Sequence, residues 1–279
     1  MMNPYLPFPM RVSKSVAETD DGSIRTLSLS FARKEDSEAF SFRAGQFAEL
    51  SLLGTGEAPF GIASSPVDPG MLDFTVSRIG LVTSELHNLE TGDRVGMRGP
   101  LGNGYPLEEL EGRNVLVVGG GFGFSTLRAF TSYALHPGNR GHFGGLTVVY
   151  GARNPGLLLY RQDLLEWGKR DDIDLRVTVD TPDDSWAGRT GVVPAVVREL
   201  CIDAGKTAAL VCGPPAMIRY TLPVLTELGL PPERVFLSLE MKMKCGIGKC
   251  GRCNIGEAYV CTDGPVFSLA RLNTLPGEY

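Results

Sequence analysis

Four of the six cysteines fall within residues 244–261, KCGIGKCGRCNIGEAYVC, as Cys245, Cys250, Cys253 and Cys261. The spacing is C-x4-C-x2-C-x7-C, and its first three cysteines are set as in the plant-type ligand run for a two-iron, two-sulfur (2Fe-2S) cluster. Four thiolates also suit tetrahedral zinc, although structural zinc sites commonly use two short C-x2-C arms and only one is present here. Gly246, Gly248 and Gly251 predict left-handed turns that carry backbone amides toward sulfur, where hydrogen bonds raise a cluster's reduction potential. Lys242, Lys244, Lys249 and Arg252 surround the thiols, either as plain solvated side chains or as cations facing an acidic partner.

Three other stretches carry chemistry. VVGGGFGFSTLRAF sets Gly119, Gly120, Gly121 and Gly123 between a strand and a helix, where free amides and the helix dipole favour a pyrophosphate. Phe124 stands where a G-x-G-x-x-G fingerprint has its last glycine, so a tight turn with no ligand is the alternative. CGPPAMI puts Cys212, Gly213 and Pro214 at the carboxyl end of a later strand, where ligands of open α/β sheets lie; a proline-started helix behind a buried cysteine is the plain alternative. In SRIGLVTSEL, Arg78 supplies a cation while Gly80, Thr83 and Ser84 open a helix, either as an ordinary cap or as a phosphate seat.

The elements that must position these groups divide the chain in three. Up to about residue 100, short runs such as IRTLSLSF, FAELSLL and LDFTVSR alternate with turn residues, predicting an antiparallel barrel or sandwich broken by one helix, TSELHNLE. GPLGNGYP, residues 99–106, reads as the loop leading out. From residue 113, NVLVVGGG, LTVVYGAR, IDLRVTVD, AALVCGPP and RVFLSLE alternate with amphipathic segments, predicting a parallel sheet with helices on both faces. The boundaries read as 1–110 for the β domain, 111–240 for the α/β domain and 241–279 for the cysteine segment.

A chain of 279 residues with 43% hydrophobic content supports two ordinary domains. A net charge of −5, with 27 basic and 32 acidic residues interspersed, offers no footprint for nucleic acid. No apolar run reaches the length of a membrane span, and the prolines of MMNPYLPFPM interrupt any leader-like stretch, so the expectation is a cytoplasmic protein without membrane insertion. The three histidines, His87, His136 and His142, show no metal-ligand spacing and read as surface or helix residues.

GGGFGFSTLR, YGAR and CGPPAMI behind a β-rich domain of about 100 residues resemble the ferredoxin-NADP reductase superfamily. That resemblance implies a barrel that binds FAD, an α/β domain that binds NAD(P)H, and hydride transfer between nicotinamide and flavin. It places Gly119 to Gly123 at the dinucleotide phosphates and Cys212, Gly213 and Pro214 near the nicotinamide. The family's R-x-[YF]-S flavin motif corresponds here to APFGIASSP, with Ala58 for Arg and Gly61 for Ser. Phe60, Gly61, Ile62 and Ser64 are then the flavin-side residues, and Arg78, Gly80, Thr83 and Ser84 meet the phosphate charge. With the tail, the chain resembles the flavin and iron-sulfur subunits of multi-subunit oxidoreductases. These are the gamma subunits of cytoplasmic nickel-iron hydrogenases (sulfhydrogenases), the flavin and iron-sulfur subunit of anaerobic sulfite reductase, the dihydroorotate dehydrogenase B electron-transfer subunit and the small subunit of NADH-dependent ferredoxin:NADP oxidoreductase. The seven-residue gap before Cys261 and the EAPF stretch resemble the hydrogenase and sulfite reductase type.

The implied path runs from NAD(P)H to FAD to a cluster on Cys245, Cys250, Cys253 and Cys261, and on to catalytic and other iron-sulfur subunits, or in reverse. Glu240 is a candidate to lie over the flavin or nicotinamide, and Arg153 to read a 2'-phosphate. The opposing reading, from another class, is a nucleotide-binding scaffold stabilised by zinc.

Overall fold

The computed structural model describes residues 3–68, 70–239 and 243–277. Glu240 and Lys242, both singled out above, lie outside the described residues.

The amino-terminal half builds an antiparallel sheet from β1 (Phe8–Ala17), β2 (Ile24–Phe31), β3 (Phe47–Leu52), β4 (Gly56–Gly61), β5 (Met71–Ser77) and β6 (Arg94–Leu101), in the order β4-β3-β6-β1-β2-β5. A bridge from Ile62 to Phe74 joins the two ends and closes it into a barrel. Alternate residues fill the interior: Leu27 and Leu29, Leu50, Ile62, Phe74 and Met97 are fully buried there. The short helix α1 (Lys34–Ala39) lies outside, and α2 (Leu81–His87) follows β5. Gly99 to Leu101, expected in a loop, are instead the last residues of β6, because β3 pairs with them through Leu101.

After α3 (Leu107–Leu110), the second half runs β7 (Asn114–Gly120), α4 (Phe124–Leu135), β8 (Leu146–Ala152), α5 (Arg161–Trp167), β9 (Asp174–Val179), β10 (Arg189–Thr190), α6 (Val193–Arg198), β11 (Thr207–Cys212), α7 (Pro215–Glu227) and β12 (Val235–Ser238). The unbroken apolar run of β7 serves both faces of the sheet. Val115 and Val117 join one core with α4 and α5, while Leu116 and Val118 join another with α6 and α7. The cysteine segment adds β13 (Asn254–Ile255), β14 (Ala258–Tyr259), α8 (Val260–Asp263), β15 (Val266–Ser268) and α9 (Leu269–Leu272). β15 pairs antiparallel with β12 at the edge of an otherwise parallel sheet, order β10-β9-β8-β7-β11-β12-β15. This welds the tail to the α/β half.

One half-buried side chain fastens the barrel to the α/β half. Arg128 of α4 meets Asp73 of β5 at 2.9 Å and Asp163 of α5 at 2.5 Å, donates to the Ala63 carbonyl at 3.1 Å, and lies 4.6 Å above the Tyr160 ring. Tyr160 completes the seam: its amide donates to Glu18 at 2.8 Å and its hydroxyl bonds Thr75.

Candidate functional site

A cavity of 310 Å³ opens at this seam. Its barrel wall is Phe47, Phe60, Gly61 and Ser77; its opposite wall is Phe122, Ser125 and Thr126 at the start of α4, with Leu239 and Met243 beyond. Close approach is built in at Gly61, where a Cβ would stand 2.5 Å from the Thr126 Cγ2. The serine of the R-x-[YF]-S pattern has no room at this position.

Of the residues singled out for this region, Phe60, Gly61 and Thr83 line the cavity. Ile62 does not: its side chain is fully buried in the barrel, where it makes the closing bridge to β5. Ser64 is also placed elsewhere, its hydroxyl accepting from the Asp73 amide at 3.1 Å. Thr83 spends its hydroxyl on its own helix, accepting from the amides of Ile79 and Gly80 at 3.0 and 2.8 Å and donating to the Gly80 carbonyl. Arg78 is exposed between cavity-lining Ser77 and Ile79 and makes no ion pair among the described residues, so its charge is available to an anion. Gly80 faces open space and Ser84 is half-buried one residue further along α2 than Thr83. His87 is buried, its Nε2 2.9 Å from the Val76 carbonyl.

A larger cavity, 920 Å³, lies on the α/β side. Phe122, Gly123, Cys212, Gly213, Pro214 and Arg219 are among its walls. The two glycine turns are pressed together: a Cβ on Gly123 would stand 2.6 Å from the Gly213 amide nitrogen. Gly119 and Gly120 are buried as β7 ends, while Gly121 has φ +49° and nothing within reach of a Cβ. No side chain caps α4; its first amide, that of Phe124, donates to the Gly121 and Phe122 carbonyls of the glycine turn. Phe122, Ser238 and Leu239 belong to both cavities, so ligands in the two would share a wall.

Met243 of the smaller cavity stands two residues before Cys245. The cluster loop turns through Gly246, Gly248 and Gly251 at φ +69°, +73° and +72°, the left-handed backbone expected of them. Sulfur receives the resulting amides: Gly248 donates to Cys261 Sγ at 3.2 Å, and Lys249 and Cys250 donate to Cys245 Sγ at 3.3 and 3.4 Å. Burial works against ionisation of Cys245, yet hydrogen bonds from the amides of Ile247, Cys250 and Lys249 hold its thiol down at about 6. Burial pushes the Cys261 thiol up to about 12, helped by the hydrogen-bonded Cys253 thiol.

The four thiols gather in one place: Cys250 bonds Cys245, Cys253 bonds Cys261, and Cys261 also feels the charge of Cys245. Among the described residues no three His, Cys, Asp or Glu side chains converge on a single ion. Gathered thiols with backbone amides directed at the Cys245 and Cys261 sulfurs fit the hydrogen-bonded ligand set of an iron-sulfur centre. Cys253 and Cys261 are buried, while Cys250 is exposed beside the exposed Lys249, Gly251 and Arg252.

Comparison with known proteins agrees with this arrangement. Residues 117–222 match the oxidoreductase NAD-binding domain, and residues 240–273 match the iron-sulfur cluster binding domain of dihydroorotate dehydrogenase B. The sulfhydrogenase 1 subunit gamma of Pyrococcus furiosus is 36% identical over 284 residues, covering 99% of this chain and 95% of that one. The chain belongs to that family of electron-transfer subunits. Within the family, the probable dihydroorotate dehydrogenase B (NAD(+)) electron transfer subunit of Thermococcus kodakarensis is 38% identical over 237 residues, 84% of this chain and 88% of the relative. A solved structure of the NADH-dependent reduced ferredoxin-NADP oxidoreductase, described for flavin-based electron bifurcation, superposes with a TM-score of 0.74 at 26% identity, covering 99% of this chain and 91% of that one. The family's ferredoxin-NADP reductase-like fold thus extends through the tail.

Phe122, between Gly121 and Gly123, and Thr126, three residues after that run, were within reach of the glycine motif, whereas no sequence signal marks Met243. Among the described residues no helix is long and apolar enough to cross a membrane.

Proposed function

We propose that this chain is the NAD(P)H-dependent electron-transfer subunit of a cytoplasmic, hetero-oligomeric oxidoreductase, linking the nicotinamide pool to a partner catalytic subunit. The observation that carries the reading is the succession of sites: the larger cavity shares Phe122, Ser238 and Leu239 with the smaller one, and Met243 of the smaller one leads in two residues to Cys245. The near-complete match to a sulfhydrogenase gamma subunit favours a hydrogenase catalytic subunit as partner.

In this reading residues 1–110 hold FAD, 111–240 hold NAD(P)H and 241–279 hold the 2Fe-2S cluster. FAD accepts two electrons as hydride and releases them singly, which neither a nicotinamide nor a two-iron cluster does. Phe60 and Phe122 bound the flavin cavity, and Arg78, with Gly80 and the Ser84 hydroxyl beside it, answers the phosphate charge. The turn Gly119 to Gly123, open at Gly121, takes the nicotinamide dinucleotide's pyrophosphate. Cys212, Gly213 and Pro214 border the nicotinamide. Buried Cys253 and Cys261 keep water from one side of the cluster, and exposed Cys250 among Lys249 and Arg252 is the exit toward an acidic partner surface.

Cys250→Ser tests the order of the path. NAD(P)H should still bleach the flavin at the wild-type rate, while electron delivery to the co-purified partner falls at least about a hundredfold, a loss of about 2.7 kcal/mol. Equal loss of both steps would argue against a linear path.

A further inference from the structure

Arg98 lies in neither nucleotide cavity, yet its side chain is only 8% exposed. It projects from β6, and each of its three nitrogens donates a hydrogen bond. Nε and Nη2 donate to the Glu57 carboxylate of β4 at 3.0 and 2.8 Å, Nη1 donates to the Pro4 carbonyl at 2.9 Å, and Nη2 also reaches the Cys245 carbonyl at 3.2 Å. One guanidinium therefore joins the barrel, the amino-terminal segment and the backbone of the first cluster cysteine. The loop is tied a second time where Lys249 bonds the Tyr5 hydroxyl. Glu49 sits opposite Arg98 in the β3–β6 register, its carboxylate fully buried with no hydrogen-bond partner among the described residues, and a Cβ on Gly246 would stand 3.4 Å from its Oε1.

We propose that Arg98 is a positioning residue for the cluster: it locks the Cys245 backbone to the flavin-side barrel and holds a fixed positive charge beside Cys245. The inference rests on reading the four cysteines as an iron-sulfur site. Its physical content is twofold. A bidentate, buried guanidinium restrains the loop more than a surface contact does, and a lysine lacks the fork needed to replace it. An added electron is also favoured by the guanidinium and opposed by Glu57, so the balance of this ion pair biases the cluster's reduction.

The two effects separate in the full chain purified anaerobically, with amide exchange measured on the metal-free protein and cluster potential by titration followed with EPR. Arg98→Gln should lower the potential by about tenfold in the reduction equilibrium, about 59 mV for one electron, and Glu57→Gln should raise it. Arg98→Lys should leave the potential near wild type while amide exchange in residues 244–250 quickens about tenfold and that of β7 is unchanged. Opposite signs for Arg98→Gln and Glu57→Gln are what a merely structural role would not produce. Should Arg98→Gln fail to fold, Glu57→Gln and Arg98→Lys decide alone. A wild-type chain that binds no iron would overturn the cluster reading and this proposal together. An iron-loaded wild type whose potential and loop exchange are unmoved by the substitutions would overturn the proposal alone.

Discussion

Gly61 of the barrel and Thr126 of α4 face each other so closely that a single added carbon at residue 61 would stand 2.5 Å from the Thr126 Cγ2. The seam between the two halves is narrowest there, and it borders the cavity assigned to flavin. Gly61→Ala should therefore weaken FAD retention at least about tenfold, about 1.4 kcal/mol, without loss of fold. Pairing it with Thr126→Ser, which removes the obstructing methyl and keeps the hydroxyl, should restore binding. Flavin content after gel filtration measures both, and failure of the second substitution to rescue would show that residue 61 acts otherwise.

The contact between Gly123 and Gly213 makes a parallel prediction for the nicotinamide side. A Cβ on Gly123 would press the Gly213 backbone at 2.6 Å, forcing apart the turns that border the larger cavity. Gly123→Ala should leave FAD bound and raise the NAD(P)H concentration needed for half-maximal flavin reduction by about tenfold. Stopped-flow bleaching at varied NADH and NADPH checks it.

Arg128 has a structural task. Removing it leaves Asp73 and Asp163 without their shared cation in a largely buried seam. Arg128→Met should cost about 3–5 kcal/mol, read from the midpoint of urea unfolding. A cost near zero would mean that water already shields the two carboxylates.

Burial, and after it the neighbouring Glu57 charge, raise the Glu49 carboxyl from 4.5 to about 7. A carboxyl whose pKa is higher in the folded than in the unfolded chain favours the folded state fully below its unfolded value. That contribution is lost as pH rises through the folded value. Wild-type stability should fall between about pH 4.5 and pH 7, whereas Glu49→Gln should be flatter and more stable at pH 8 by on the order of 2 kcal/mol. Urea midpoints of the two proteins across that range give the comparison. Identical slopes would exclude Glu49 as the source.

The α/β half was legible because β7, β8 and β11 are continuous apolar runs and α4 begins directly after its glycine turn, both local signals. In the barrel, β4 was legible only through the flavin motif at APFG, since no alternation marks GEAPFG, and its proline is tolerated because β4 lies at the sheet's edge. β15 was invisible for a different reason, since its antiparallel partner β12 is nearly thirty residues away and no local pattern encodes that pairing. At the site, cysteine spacing and glycine turns announced the cluster loop. Closing the barrel turns the Ile62 and Ser64 side chains from the cavity, drawing Ile62 to Phe74 and Ser64 to the Asp73 amide. Arg98 and Glu57 lie 41 residues apart, and only the folded sheet brings them under Cys245.

The central claim is a continuous electron path from nicotinamide through flavin to the cysteine loop. Anaerobic reduction of the purified chain by NADH or NADPH, followed by absorption and EPR together, tests it most directly. The account predicts a yellow-brown protein containing FAD and iron, whose flavin bleaches first and whose reduced two-iron EPR signal then appears. A colourless, zinc-containing chain, or bleaching of the flavin with an iron-sulfur centre that stays oxidised, would contradict it.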